Sequence, residues 1–239
     1  MTSWIPAFAG MTVAANVSVM NYVKINNRAI GWRVAVLLSG LNLVAVHADT
    51  LSADRMFDSV SVYAGQGVNH NLKEIPGKIL GGNLDWDKTY FTALGFGKTR
   101  GTLGQSFTSL RGTPFASLRH GYEMVVVQHR GLQCDTEFGA AYSLRTPDLQ
   151  MGPLGVNFMA GAGLSYALGT PSYEGGSKSD PGRHYRSQFL GLFELEWRMR
   201  KFENLSVITR VHHRSGVYGL IAPQHVGSNF LALGVRYIF

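Results

Sequence analysis

His213 and Ser215 are the residues of this chain best suited to chemistry. They lie two apart in Leu205-Ser-Val-Ile-Thr-Arg-Val-His-His-Arg-Ser215. In an extended strand alternate residues share a face. Leu205, Val207, Thr209, Val211, His213 and Ser215 form one face, and Ser206, Ile208, Arg210, His212 and Arg214 the other. Two residues on one face are ~7 Å apart along the backbone, a gap that side chains bridge. A histidine base beside a serine hydroxyl is the minimum for an activated nucleophile. The same pair also suits a polar girdle at a membrane surface. His212 and His213 point to opposite faces, so they do not chelate one metal together, and no metal site is expected.

The strand that carries this pair needs neighbours, and the last stretch of the chain indicates which kind. In Asn229 to Phe239, Asn229, Leu231, Leu233, Val235, Tyr237 and Phe239 fall on one face, and Phe230, Ala232, Gly234, Arg236 and Ile238 on the other. A membrane barrel needs a strand of this kind, apolar towards lipid with aromatic residues at the interface. Eight strands of about ten residues are expected. They are Asp58–Val68, Lys88–Gly97, Arg119–Gln128, Glu137–Arg145, Gly155–Leu168, Gln188–Met199, Leu205–Ser215 and Asn229–Phe239. The fold class is therefore all-β, an eight-stranded antiparallel transmembrane β-barrel. The fifth strand is the clearest, with Val156, Phe158, Ala160, Ala162, Leu164 and Tyr166 opposite a small, partly polar face.

Charges face lipid only at a high cost, so Glu194, Glu196, Arg198, Arg210 and Arg236 are expected to point inward. Arg210 and Arg236 should pair with Glu194 and Glu196 across the lumen, because unpaired buried charge is expensive. With both termini periplasmic, the connections after strands one, three, five and seven are external. The Gly169 to Ser187 connection, rich in Gly, Ser, Pro and charge, fits an external loop. The turn around Lys201 to Asn204 fits the periplasmic side. The segment Lys98 to Leu118 is too long for a simple turn, and an additional strand around Leu103 to Leu110 is the alternative there.

The front of the chain reads as an export signal. Lys24, Arg28 and Arg33 precede the apolar run Val34 to Val46, and Val46-His47-Ala48 offers a small-residue cleavage site before Asp49. Residues 20–48 are thus expected to be a signal peptide and 49–239 the barrel. Residues 1–19 are expected to be a non-structural extension, with Met20 the true start. The chain has 22 Lys and Arg against 15 Asp and Glu, a net +7. Three of those basic residues and no acidic ones precede Asp49, which leaves a mild +4. No nucleic-acid motif accompanies that charge. Cys134 is the only cysteine, so an internal disulfide is excluded.

Two features resemble known families. The closing strand with its final Phe239 resembles the terminal signal of bacterial outer-membrane proteins, in which the last Phe is read by the assembly machinery. His213-Arg214-Ser215, two dozen residues before that Phe, resembles the His-x-Ser motif of the PagL-type lipid A 3-O-deacylases, also called acyloxyacyl hydrolase-like. These are eight-stranded outer-membrane barrels with an external, membrane-facing Ser-His-Glu site. The resemblance implies Ser215 as nucleophile, His213 as general base, lipid A of lipopolysaccharide as substrate, and no cofactor. Two positions depart from the family. Gly216 stands where Asn usually follows the serine, and no acidic residue follows Glu203 to orient the histidine. By position the nearest equivalent of that acid is Ser228 or Asn229. Asn229, on the lipid-facing side of its strand, is expected to orient His213 through its amide oxygen. Glu174 and His225, both in external loops, are the other candidates.

The expected function is a lipid A esterase in the outer membrane of a Gram-negative bacterium, a monomer or homodimer. The alternatives are a non-catalytic barrel (structural, porin-like or lipid-binding) and a soluble ligand-binding barrel. Outward exposure of His213 and Ser215 discriminates between the first two.

Overall fold

The computed structural model describes residues 55–175 and 182–239. The expected signal peptide and N-terminal extension lie outside the described residues. β1 is Ser59–Val68, β2 Trp86–Thr102, β3 Arg119–Gly131, β4 Thr136–Arg145 and β5 Leu149–Met151. β6 is Leu154–Ala167, β7 Ser187–Met199, β8 Leu205–Ser215 and β9 Gly227–Ile238. Every pairing is antiparallel, each barrel strand lies beside its sequence neighbour, and β1 pairs with β9 to close the sheet. Eight strands make the barrel, because β5 is a three-residue hairpin partner of β6 while β4 pairs directly with β6. This is the closed eight-stranded architecture that the alternation implies, and among the described residues each of the eight barrel strands is paired on both sides.

The side-chain alternation partitions as a membrane barrel requires. Leu94, Phe158, Leu164, Leu233 and Val235 are exposed on the outer face. Phe91, Val125, Leu190, Leu192 and Phe230 fill the middle of the lumen. Among the described residues no helix is long and apolar enough to cross a membrane.

The charged belt lies in the lumen towards the end where β1 begins and β9 ends. Arg236 binds Glu194 at 2.5 Å and Glu196 at 3.4 Å. Arg210 binds Glu194 and also Glu123, at 2.6 Å from the latter. Arg145 joins both Glu194 and Glu196. The pairing of Arg210 with Glu194 is lateral, since the two are direct cross-strand partners on β8 and β7. Glu123 and Arg145, from β3 and β4, supply the bonds that span the lumen.

The long segment after β2 does not form the additional strand that is the alternative reading around Leu103 to Leu110. β2 itself runs on to Thr102, and Leu103–Ser106 forms a short helix, α1, followed by a 3-10 turn at Thr108–Leu110. Thr102 and Gln105 cap α1 reciprocally, each side chain bonding the other's backbone, and so satisfy donors at its start.

Candidate active site

β8 positions the two sequence candidates. His212 and Arg214 are fully buried in the lumen, whereas His213 and Ser215 are half-buried on the outer face. His213 sits opposite Gly191 of β7 and Asn229 of β9, and Ser215 opposite Phe189 and Gly227. These residues occupy the end of the barrel opposite the start of β1 and the end of β9.

Asn229 and His213 are joined by a 2.7 Å hydrogen bond between Oδ1 and Nδ1. The amide orientation is set by its other end, where Nδ2 donates to the His70 carbonyl at 2.8 Å. With the amide nitrogen committed to that carbonyl, Oδ1 faces the imidazole and accepts, so Nδ1 carries the proton. Nε2 is then the basic nitrogen. His70 belongs to the β1–β2 connection, which is pinned by the Asp85 amide donating to His70 Nε2 at 2.9 Å. That connection lies over Asn229, which is buried although it belongs to the outer face.

The other wall is made by an absence of side chain. A Cβ on Gly191 would lie 3.3 Å from His213 Cδ2 and 3.3 Å from ring atoms of both Phe189 and Phe193. The imidazole therefore rests over bare backbone between two phenylalanines, with the Phe189 ring edge-on to it at 6.5 Å. Among the described residues the Ser215 hydroxyl makes no hydrogen bond with His213, whose side-chain partner is Asn229.

The loop after Ser215 is tightly wound. Val217 and Tyr218 have φ of 48° and 53°, a region that β-branched residues seldom adopt. Gly216 is required here, because a Cβ would lie 2.0 Å from the Ala222 carbonyl oxygen. An asparagine at this position would meet the same carbonyl.

Glu174 is placed elsewhere than beside His213. Its carboxylate enters the barrel mouth, where it binds Arg214 at 2.5 Å and Ser228 at 3.1 Å, and also Gln188. Burial pushes its carboxyl up to about 7, while Arg214 pulls the other way. Below it, Glu137 takes His129 on one oxygen at 3.0 Å and His212 on the other at 3.1 Å. His225 is exposed, with a φ of 69°, and its side chain makes no hydrogen bond or ring contact among the described residues. Of the three orienting candidates, only Asn229 is brought to His213.

Sequence reasoning passed over Gly191, His70 and the Glu137 cluster. Gly191 carried a signal, as a glycine with a phenylalanine two residues away on either side, in the strand before the one that bears His213. His70 did not, because its contribution is a backbone carbonyl.

No protein-family model and no curated protein matches the sequence. Among solved structures, the outer membrane enzyme PagL aligns with a TM-score of 0.50 at 11% identity, over 76% of this chain and 99% of that one. Neisserial surface protein A (NspA) aligns at 0.42 and 12% identity, over 76% and 96%. LpxR from Salmonella typhimurium aligns at 0.31 and 9% identity, over 80% and 70%. At these identities the likeness to PagL is one of fold, and this chain is an antiparallel eight-stranded barrel of the outer-membrane kind.

Proposed function

We propose that this protein is an outer-membrane serine esterase that hydrolyses an ester-linked acyl chain of lipid A in lipopolysaccharide. The observation that carries this reading is the outward-facing His213, with Nδ1 held by Asn229 and Ser215 next on the same face. A base aimed from the lipid face has lipid as its natural substrate, and the end opposite the start of β1 and the end of β9 would lie in the external leaflet.

The roles follow from the tautomer. Ser215 Oγ attacks the ester carbonyl as its proton passes to His213 Nε2. The C–O bond to the sugar then breaks, and the leaving oxygen takes that proton. Water repeats the sequence on the acyl-serine and releases the fatty acid. Asn229 keeps the ring oriented throughout. The residues need no cofactor for this chemistry.

The packed lumen argues against a porin-like passage, since Phe91, Leu190, Leu192 and Phe230 fill it. A lipid-binding barrel without turnover is the second reading, favoured by the missing bond between Ser215 and His213 and by the neutral orienter. Mass spectrometry of lipid A from cells expressing the wild type or Ser215→Ala separates the two. Hydrolysis removes one hydroxyacyl chain in the wild type alone, and mere binding leaves both samples unchanged.

A further inference from the structure

The long segment between β2 and β3 has no counterpart in a simple turn, and its fold brings together a second serine and histidine. α1 is held against the chain before β3 by the Leu103 amide donating to the Leu118 carbonyl at 2.8 Å and Gly104 to Ala116 at 3.0 Å. This places Ser106 Oγ 2.6 Å from His120 Nε2. His120 Nδ1 in turn lies 2.7 Å from the Tyr142 hydroxyl on β4. His120 is on the outer face of β3, in step with the exposed Tyr122 and Met124. The imidazole is buried between Phe107 and Tyr142, while Ser106 is exposed.

This is the geometry of an activated nucleophile. The base is within hydrogen-bond reach of the hydroxyl, and a third group orients the base through its far nitrogen. When Nδ1–H donates to the Tyr142 oxygen, Nε2 is free to accept the Ser106 proton. The surroundings fit an ester carried by a membrane lipid. Phe107 and Phe115, on the same segment, are 47% and 60% exposed, and the outer face beside them is the apolar face of the barrel. The cluster lies at the end where β1 begins and β9 ends, so it faces the leaflet opposite that of Ser215.

We infer that Ser106, His120 and Tyr142 form a second nucleophilic centre, which hydrolyses an acyl ester of glycerophospholipid. Ser106 Oγ bonds to the carbonyl carbon as its proton moves to His120 Nε2. The glycerol C–O bond breaks and its oxygen takes up that proton. Water then adds to the acyl-serine, giving one proton to His120, which returns it to Ser106 as the fatty acid leaves. Tyr142 is a positioning residue. This inference is independent of the activity proposed for Ser215.

The test uses the full chain folded in vesicles of phosphatidylethanolamine and phosphatidylglycerol with labelled acyl chains, treated with a fluorophosphonate and mapped by peptide mass spectrometry. The expected result is modification of Ser106 in the wild type and equally in Ser215→Ala. Ser106→Ala should abolish that modification, and His120→Gln should slow it at least tenfold. Tyr142→Phe should change the pH profile of labelling while the barrel stays heat-modifiable. Release of labelled fatty acid should follow the same order. An unmodified Ser106 in a heat-modifiable barrel would overturn the centre. Modification without fatty acid release would overturn the phospholipid assignment.

Discussion

The Asn229 side chain bridges His213 and His70, taking the imidazole on its oxygen at 2.7 Å and giving its nitrogen to the His70 carbonyl at 2.8 Å. One residue on β9 thus ties the tautomer of a β8 histidine to the position of the β1–β2 connection. Asn229→Ala removes both bonds and leaves the barrel wall intact. Misplacing a catalytic group by about 1 Å costs about 100-fold in rate. We expect a loss of that size in kcat of lipid A deacylation, measured on purified substrate, with the barrel still heat-modifiable.

Gly191 makes a sharper test of ring placement, because it lies in the wall and carries no polar group. An added methyl would press on His213 Cδ2 and on both flanking phenylalanines at 3.3 Å. Gly191→Ala should lower kcat on the order of 10-fold with little change in KM. Steady-state kinetics on wild type and variant give that split.

Glu174 predicts a pH dependence of loop docking. Its carboxyl is raised from 4.5 to about 7, chiefly by burial. Between those values the docked chain holds a proton that the undocked carboxyl has released. The docking contribution is therefore complete below 4.5 and is lost as pH rises through about 7. Hydrogen exchange of residues 169–175, compared with Glu174→Gln at each pH, should show the wild type loosening between pH 5.5 and 8. The variant, whose side chain does not titrate, should stay flat.

The lumenal belt predicts a stability effect. Glu194 is bonded by Arg145, Arg210 and Arg236, and all four are largely or fully buried. Glu194→Ala strands guanidinium charge inside the barrel, and such a loss costs about 3–5 kcal/mol. The midpoint of urea unfolding in detergent should fall accordingly. The paired change Glu194→Gln, which keeps one acceptor, should fall less.

The barrel was legible because a strand period of two sorts side chains into lipid and lumen, and that sorting survives errors in strand ends. β8 matches its expected span, and His212 and His213 lie on opposite faces as the alternation requires. Asn229 was legible for the same reason, since it shares the outer face of a neighbouring strand. Connections do not obey that rule. Glu174 was read as an external loop residue, yet its loop folds into the mouth and delivers the carboxylate to Arg214. Likewise, Ser106 and His120 are 14 residues apart on different elements. The capping pair Thr102 and Gln105 was the local signal that a helix, not a strand, follows β2.

The central claim is that Ser215 is a nucleophile acting on lipid A. The most direct measurement is the mass of lipid A from cells expressing the wild type or Ser215→Ala at matched levels of folded barrel. The account predicts loss of one 3-hydroxyacyl chain with the wild type and none with the variant. Unchanged lipid A with a folded wild-type barrel in the outer membrane, or equal deacylation by both proteins, would contradict it.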